Sequence, residues 1–257
     1  MAQKRVDQIL DIIKERGYVT VNYLCQQLHY STATINRDLN DLQKRRLIVR
    51  HYGGAELAAK KGAPLVFRYH KMRPIKRLIS KKASEMIKDG MTVFIDGSTT
   101  AHYMGEYIKN IQNLTVITNN INLTSHLSEA GIKCICLGGQ IVEPPYMTGG
   151  FDTATQAKTY TADLCFFSTL GASAQGEIYE TDGYYYLHKA MLEQSKKSVF
   201  LVDHQKIGIR GNRSLCDLSE VDTVISDFNF AQSVQKAFPN TNFLKVEGSK
   251  SQQPQTI

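Results

Sequence analysis

Ser31-Thr32-Ala33-Thr34-Ile35-Asn36-Arg37-Asp38-Leu39 is the stretch on which the fold of this chain turns. Ser31 carries a short hydroxyl that can accept from the unpaired N–H groups of a helix start, so it predicts an N-cap. Beyond it Ile35, Leu39 and Leu42 recur at intervals of four and three, which marks one buried helical face. Turning that helix by about 100° per residue sets Ala33, Arg37, Asn40 and Lys44 on the opposite stripe, with Asn36 on its flank. Small, amide and guanidinium side chains on one stripe suit the major groove of duplex DNA, where arginine pairs with guanine and asparagine with adenine. The hydroxyls of Ser31, Thr32 and Thr34 sit at the positive helix start, where they can donate to a phosphate. Asp38 would repel a phosphate and is read as a structural partner inside the small domain. A solvated helix face is the plain alternative for any one helix, and the neighbouring segments argue against it.

Upstream, Val6, Ile9, Leu10 and Ile13 predict a first helix stopped by Gly17. Thr20 caps a second that carries Val21, Leu24 and Leu28. Downstream, residues 47–52 read as a strand and Gly53-Gly54 as its turn, together a β-wing. Lys44, Arg45, Arg46, Arg50 and His51 form a basic strip whose phosphate contacts would make binding sensitive to salt. Three helices and a wing in this order predict a winged helix-turn-helix over residues 1–57. A protein-interaction module is a competing use of such a fold. The stripe of Arg37, Asn40 and Lys44 fits DNA better.

Residues 58–74 lack a stable period and contain Gly62, Pro64 and a basic patch over 68–73, so they read as a linker. From 75 to 247 helix and strand patterns alternate. Strands are predicted over 91–95, 114–118, 132–137, 163–168, 198–202 and 221–226. Helices are predicted over 78–87 and 184–195, through Tyr103 and Ile108, and through Leu123 and Leu127. This order predicts an α/β domain with a mostly parallel sheet covered on both faces. The polar residues 248–257 read as a disordered tail.

In such a sheet a ligand crevice lies at the carboxyl ends of the strands. Asp96-Gly97-Ser98-Thr99-Thr100 follows one apolar strand and offers a tight turn, hydroxyls and backbone N–H groups, the makings of a phosphate site. A simple N-cap is the equal alternative there. Asn119, Gly138, Gly139 and Lys206 end other strands on the same edge, and small polar loops with one cation suit a phosphorylated polyol.

The stretch 31–39, with Leu42, Leu47, Arg50 and Gly53-Gly54-Ala55, resembles the helix-turn-helix of the DeoR family, which typically reads Ser-x-x-Thr-Ile-Arg-Arg-Asp-Leu. Asn36 stands where that family usually has arginine. Residues 75–227 resemble the DeoR sensor domain, itself similar in fold to ribose-5-phosphate isomerase and glucosamine-6-phosphate deaminase. The matches are the loop 96–100, Thr118-Asn119, Gly138-Gly139, Lys189-Ala190-Met191 and 203–206. His204-Gln205 replaces the usual Ser-Ser, and Gly149-Gly150 the usual Gly-Pro. The resemblance implies a repressor of a carbohydrate operon that binds double-stranded operator DNA as a homodimer or homotetramer, under control of a phosphorylated sugar. It implies no cofactor, no metal site and no catalytic residue.

The competing enzymatic reading is a sugar-phosphate isomerase or deaminase with an accessory helix-turn-helix. That chemistry needs a base beside a carbon-bound proton. The isomerases carry an acidic residue after a Gly-Ala pair, whereas this chain has Leu170-Gly171-Ala172-Ser173. Glu177, Glu180 and Asp182 follow as possible substitutes. A phosphate site without the expected base favours binding without turnover.

The net charge of +7 is compatible with a polyanionic partner. The five cysteines lie in apolar, patterned segments, which suits a reducing cytoplasm, and no membrane span or secretory leader is evident. Cys134-x-Cys136 places two thiols on one strand face, too few for zinc, and both read as ordinary buried cysteines.

Overall fold

The computed structural model of the chain describes residues 2–16, 18–45, 47–51, 53–57, 68–69, 71–143 and 146–247. They divide into two compact units, residues 1–71 and 72–257. Of the predicted linker, 58–67 and 70 lie outside the described residues, as do the tail 248–257, Gly17 and Arg46. Among the described residues no helix is long and apolar enough to cross a membrane.

The first unit runs α1 (Ala2–Arg16), β1 (Tyr18–Thr20), α2 (Val21–Leu28), α3 (Thr32–Lys44), β2 (Ile48–His51) and β3 (Gly54–Leu57). Thr20 accepts from the Tyr23 N–H and Ser31 from the Thr34 N–H, so both predicted caps start their helices. Ile9, Ile13, Leu24, Ile35, Leu39, Leu42 and Ile48 are buried together in one core. The wing has a third strand that the sequence pattern did not suggest. β3 lies between β1 and β2, antiparallel to both. A Cβ at Gly54 would stand 2.1 Å from the Tyr18 hydroxyl oxygen and 2.4 Å from the Val19 carbonyl oxygen, so this close pairing demands glycine there. Asp38 is buried and takes both Nε and Nη2 of Arg5, the latter at 2.9 Å. That fork ties the middle of α3 to α1.

In the second unit, Arg73 and Pro74 do not end a linker but open α4 (Arg73–Ser84), where proline suits the first turn because its fixed φ is already helical. There follow β4 (Thr92–Ile95), a 3₁₀ turn (Ala101–Glu106), β5 (Thr115–Thr118), α5 (Ile121–Glu129) and β6 (Lys133–Cys136). The hairpin of β7 (Gln140–Glu143) and β8 (Met147–Gly149) leads to α6 (Phe151–Ala157). Then come β9 (Ala162–Phe167), β10 (Gly171–Ala172), β11 (Glu177–Glu180), α7 (Asp182–Glu193) and β12 (Ser195–Val202). The unit ends with β13 (Arg213–Asp217), β14 (Thr223–Ser226), α8 (Gln232–Ala237) and β15 (Asn242–Lys245).

Among the described residues seven strands form the main sheet in the order β15-β14-β12-β9-β4-β5-β6, every pair parallel. Alternate side chains feed two cores. Phe94, Cys165, Phe167, Phe200 and Val202 pack with α6 and α7 on one face. Val93, Ile95, Leu164, Phe166, Val199 and Leu201 pack with α4 and α5 on the other. Burial on both faces explains why these strands read as continuous apolar runs. The segment through Tyr103 is a 3₁₀ turn rather than the expected α-helix, and Gly105 within it sits against Leu123, 2.7 Å from where a Cβ would be. The small antiparallel sheet β10-β11-β13 and the β7-β8 hairpin, too short to show a period, went unpredicted.

The five cysteines are all unbridged. Cys134 and Cys136 are not the buried pair expected: Cys134 is half-buried and Cys136 exposed, because β6 is an edge strand. Phe200 is fully buried, with its ring centroid 5.1 Å from that of Phe167. Phe200→Ala is expected to lower unfolding stability by about 3–5 kcal/mol, measurable by denaturant titration with an unchanged slope.

Candidate functional site

In the first unit the predicted stripe is on the surface. Ser31, Thr32, Ala33, Arg37, Asn40 and Lys44 are exposed, while Thr34 and Asn36 are half-buried. Among the described residues Arg37 and Lys44 make no ion pair, whereas Arg45 is held by Asp41 at 2.7 Å. The structure draws Arg50 and His51 inward. The Arg50 guanidinium reaches across from β2 to α3, giving Nη1 to Asn40 Oδ1 at 2.5 Å and Nη2 to Asn36 Oδ1. His51 Nε2 lies 2.8 Å from Glu56 Oε1 within the wing. Among the described residues the basic strip is therefore mixed, with Arg45 paired on the surface. Lys44 projects to solvent, while Arg50 and His51 brace the helix and wing. Accepting from Arg50 uses one of the two lone pairs on each asparagine oxygen and fixes how both amides point.

In the second unit the geometry is set by strand order. From β4 the chain proceeds to β5 and β6 on one side, and from β9 to β12, β14 and β15 on the other. β4 and β9 stay paired to their ends, where the Asp96 N–H donates to the Phe166 carbonyl oxygen, and the chain then leaves them toward opposite sides, the topological switch point at which parallel sheets carry a ligand crevice. The loop 96–100 leaves β4 there. Asp96 is buried and faces inward: Oδ1 accepts from Ser98 N at 3.1 Å and Oδ2 from Ser168 N at 2.9 Å. Folding the loop round this carboxylate leaves the N–H groups of Gly97, Thr99 and Thr100 without an acceptor among the described residues. Three such donors in one turn, on residues that are themselves buried, are the chemistry of an anion nest.

Two cations reach this loop system. Lys206, from the turn after β12, gives Nζ to Ser168 Oγ and the Thr169 carbonyl oxygen, both at 2.8 Å. Lys76 is buried on α4 and gives Nζ to Thr99 Oγ1 at 2.8 Å. Sequence reading missed Lys76, and one signal pointed to it: a lysine at a buried position of an amphipathic helix, level with Ile79 and Ala83. Asn119 closes the other side. Its Nδ2 donates to the Thr148 carbonyl oxygen at 2.7 Å, and its Oδ1 is buried without a hydrogen bond among the described residues.

Gly138 and Gly139 follow β6, two strands from β4, so about 10 Å separates the two strand axes at about 4.8 Å per strand. The Gly138 N–H already donates to Gln156 Oε1 at 2.6 Å, and its carbonyl accepts from Thr153 Oγ1 at 2.7 Å. A Cβ at Gly139, whose φ is 138°, would stand 2.1 Å from Thr153 Oγ1. These glycines let β6 turn tightly onto α6.

The possible substitute bases are turned elsewhere. Glu180 is buried and its Oε2 lies 2.9 Å from His188 Nδ1, Glu177 accepts from the Tyr179 hydroxyl at 2.5 Å, and Asp182 faces Arg213 at 3.3 Å. Among the described residues no group of three or more His, Cys, Asp or Glu is placed to hold a metal.

A winged helix followed by a parallel α/β unit with its crevice at the switch point defines a DNA-binding regulator with a sensor domain. A DeoR-like helix-turn-helix domain matches residues 5–61, and the DeoR C terminal sensor domain matches residues 72–228. The chain belongs to the DeoR family of transcriptional regulators. It is 30% identical over 227 residues to the glycerol-3-phosphate regulon repressor of Escherichia coli (strain K12), covering 87% of this chain and 90% of that protein. It is 31% identical over 230 residues to the HTH-type transcriptional repressor GlcR of Bacillus subtilis (strain 168), covering 88% of each. A ribose 5-phosphate isomerase from Plasmodium falciparum is similar in structure over 53% of this chain and 54% of its own, at 16% identity and a TM-score of 0.39.

A Cβ at Gly97 would lie 2.7 Å from Met147 Sδ and 3.1 Å from Asn119 Oδ1. Gly97→Ala is therefore expected to lose about 1–3 kcal/mol of stability through overpacking, read by denaturant unfolding.

Proposed function

We propose that this chain represses a carbohydrate operon by holding duplex operator DNA through α3, and that a phosphorylated sugar in the switch-point crevice releases it. The observation that carries this reading is the meeting of three unpaired backbone donors, at Gly97, Thr99 and Thr100, with Lys76 and the Ser168–Lys206 contact. Such a set neutralises a phosphate by charge and by directed N–H groups. Asp96 shapes the loop from beneath, since both its oxygens are engaged by the chain itself. Asn119 Oδ1 supplies an acceptor for a sugar hydroxyl. The names of the relatives, both repressors and one of a glycerol-3-phosphate regulon, support repression and a phosphorylated effector.

Binding without turnover is favoured because the buried carboxylates beneath the crevice, Asp96 and Glu180, are spent on His188 and on backbone N–H groups, leaving neither free to take a carbon-bound proton. On the DNA side Arg37 carries base reading, Ser31, Thr32 and Lys44 carry phosphate contacts, and Arg50 holds α3 against the wing. A homodimer or homotetramer would place reading helices in successive major grooves, with half-sites about 34–36 Å apart or a multiple of it. The effector acts only by binding the DNA-incompetent arrangement more tightly than the competent one.

Binding of the purified chain to duplex DNA from its own upstream region, at two salt concentrations and with a panel of sugar phosphates, tests this directly. Sequence-preferring, salt-weakened binding released by one sugar phosphate is expected, and indifference to every sugar phosphate would refute the sensor half. Arg37→Ala should cost about 1–3 kcal/mol of specific binding and relax preference at one base pair. Lys44→Ala should instead weaken binding to all sequences alike and reduce the salt slope by about one.

A further inference from the structure

Beneath the crevice lies an ionic cluster that the proposed function leaves unexplained. The side chain of His188, on α7, is 5% exposed, and Nε2 lies 3.1 Å from Asp96 Oδ2 while Nδ1 lies 2.9 Å from Glu180 Oε2. Each carboxylate is also held by backbone of a different segment. Asp96 takes the N–H groups of Ser98 and Ser168, as described above. Glu180 Oε1 takes the Thr181 N–H at 2.7 Å and the Thr181 hydroxyl at 3.2 Å. One imidazole therefore joins the anion loop after β4, the turn after β9 and the entry to α7.

Two buried carboxylates facing one ring repel each other unless the ring carries a charge, and a buried ion left without its partner is costly. Burial alone would push the imidazole down. The Asp96 hydrogen bond and the charges of Asp96 and Glu180, the latter an ion pair at 2.9 Å outside good hydrogen-bond alignment, outweigh it and raise His188 to about 9. The rings of Phe167 and Tyr184 stand beside it, with centroids 6.0 and 6.4 Å away, so the charge sits in an apolar surround where it is felt strongly.

We propose that His188 is a positioning residue of the sensor crevice: as an imidazolium shared by Asp96 and Glu180, it holds the Asp96-Gly97-Ser98 turn in the form that presents backbone N–H groups to an anion. The proposal rests on the phosphate reading of loop 96–100 and adds how that loop is kept ready. It also makes the crevice and the head of α7 one mechanical unit. An anion that pulls on the loop shifts Asp96, and the ring passes the shift to Glu180 and Thr181.

The test uses the full chain with His188→Gln, which removes the charge but keeps a donor, and His188→Lys, which keeps the charge. Amide hydrogen exchange at neutral pH without ligand is followed at Ser98 and Ser168, with Val224 and Ile225 of β14 as reference. Calorimetry measures binding of inorganic phosphate. His188→Gln is expected to speed exchange at Ser98 and Ser168 by about tenfold or more while the reference amides hold. It should weaken phosphate binding about tenfold, and His188→Lys should keep most of both. Equal loss in His188→Lys would show that ring shape, not charge, matters, and would overturn the proposal.

If His188→Gln fails to fold, Glu180→Gln carries the test, because Glu180 touches the loop only through His188. Faster exchange at Ser98 would support the relay, and a change confined to Thr181 would overturn it. A phosphate-binding chain whose loop exchange is unmoved by these variants loses the proposal alone. An unaltered chain that binds neither phosphate nor any sugar phosphate loses the phosphate reading, and the proposal with it.

Discussion

The divergence of the chain after β4 and β9 is the constraint on which the sensor unit depends. Neighbouring parallel strands whose successors lie on opposite sides cannot share a covering loop, so the loops that leave their carboxyl ends part. The gap exposes backbone groups that the sheet would otherwise satisfy. Asp96 closes it from below by accepting from Ser98 on its own loop and Ser168 on the other. That single carboxylate decides which N–H groups are consumed by the protein and which remain for a ligand. It also brings a buried negative charge to the centre of the sheet, and His188 balances it with Glu180 as a third member. Crevice and ionic cluster are two sides of one topological fact.

The DNA-binding unit solves a similar problem on a smaller scale. A helix that reads DNA must be rigid against its scaffold while keeping its outer stripe open. The hydrophobic face of Ile35, Leu39 and Leu42 supplies adhesion without direction. Direction comes from two guanidinium forks. Arg5 grips Asp38 from α1, and Arg50 grips Asn36 and Asn40 from the wing. Asn36, which departs from the arginine usual in the family, is an acceptor for Arg50, a role a second arginine could not fill.

Much of this was legible in the chain because its signals are local. Ser31 and Thr20 cap helices by reaching their own neighbours, and Ile35, Leu39 and Leu42 lie within two turns of one another. The β-strands of the sheet are apolar on both faces, so Val93-Phe94-Ile95 and Val199-Phe200-Leu201-Val202 stand out as runs. The loop 96–100 was visible because glycine and hydroxyl residues after such a run predict a turn with donors. Short strands such as β1, β10 and β11 carry too few residues for any period, and only their partners make them strands.

What the sequence by itself determined was therefore the order of elements, the two units, the exposed polar stripe of α3 and the family. What only the tertiary structure decided was which polar groups spend their hydrogen bonds inside the molecule. Arg50 and His51 look like DNA contacts in the chain, yet they brace the wing. Gly138 and Gly139 look like ligand contacts, and the structure adds that they seat α6 through Gln156 and Thr153. Lys76 and His188 carry no motif in the chain, yet both are buried with partners in loop 96–100. The reason is physical: a charged or amide group acts through partners within about 3 Å. Those partners, such as Asp96 and His188, lie 92 positions apart in the chain.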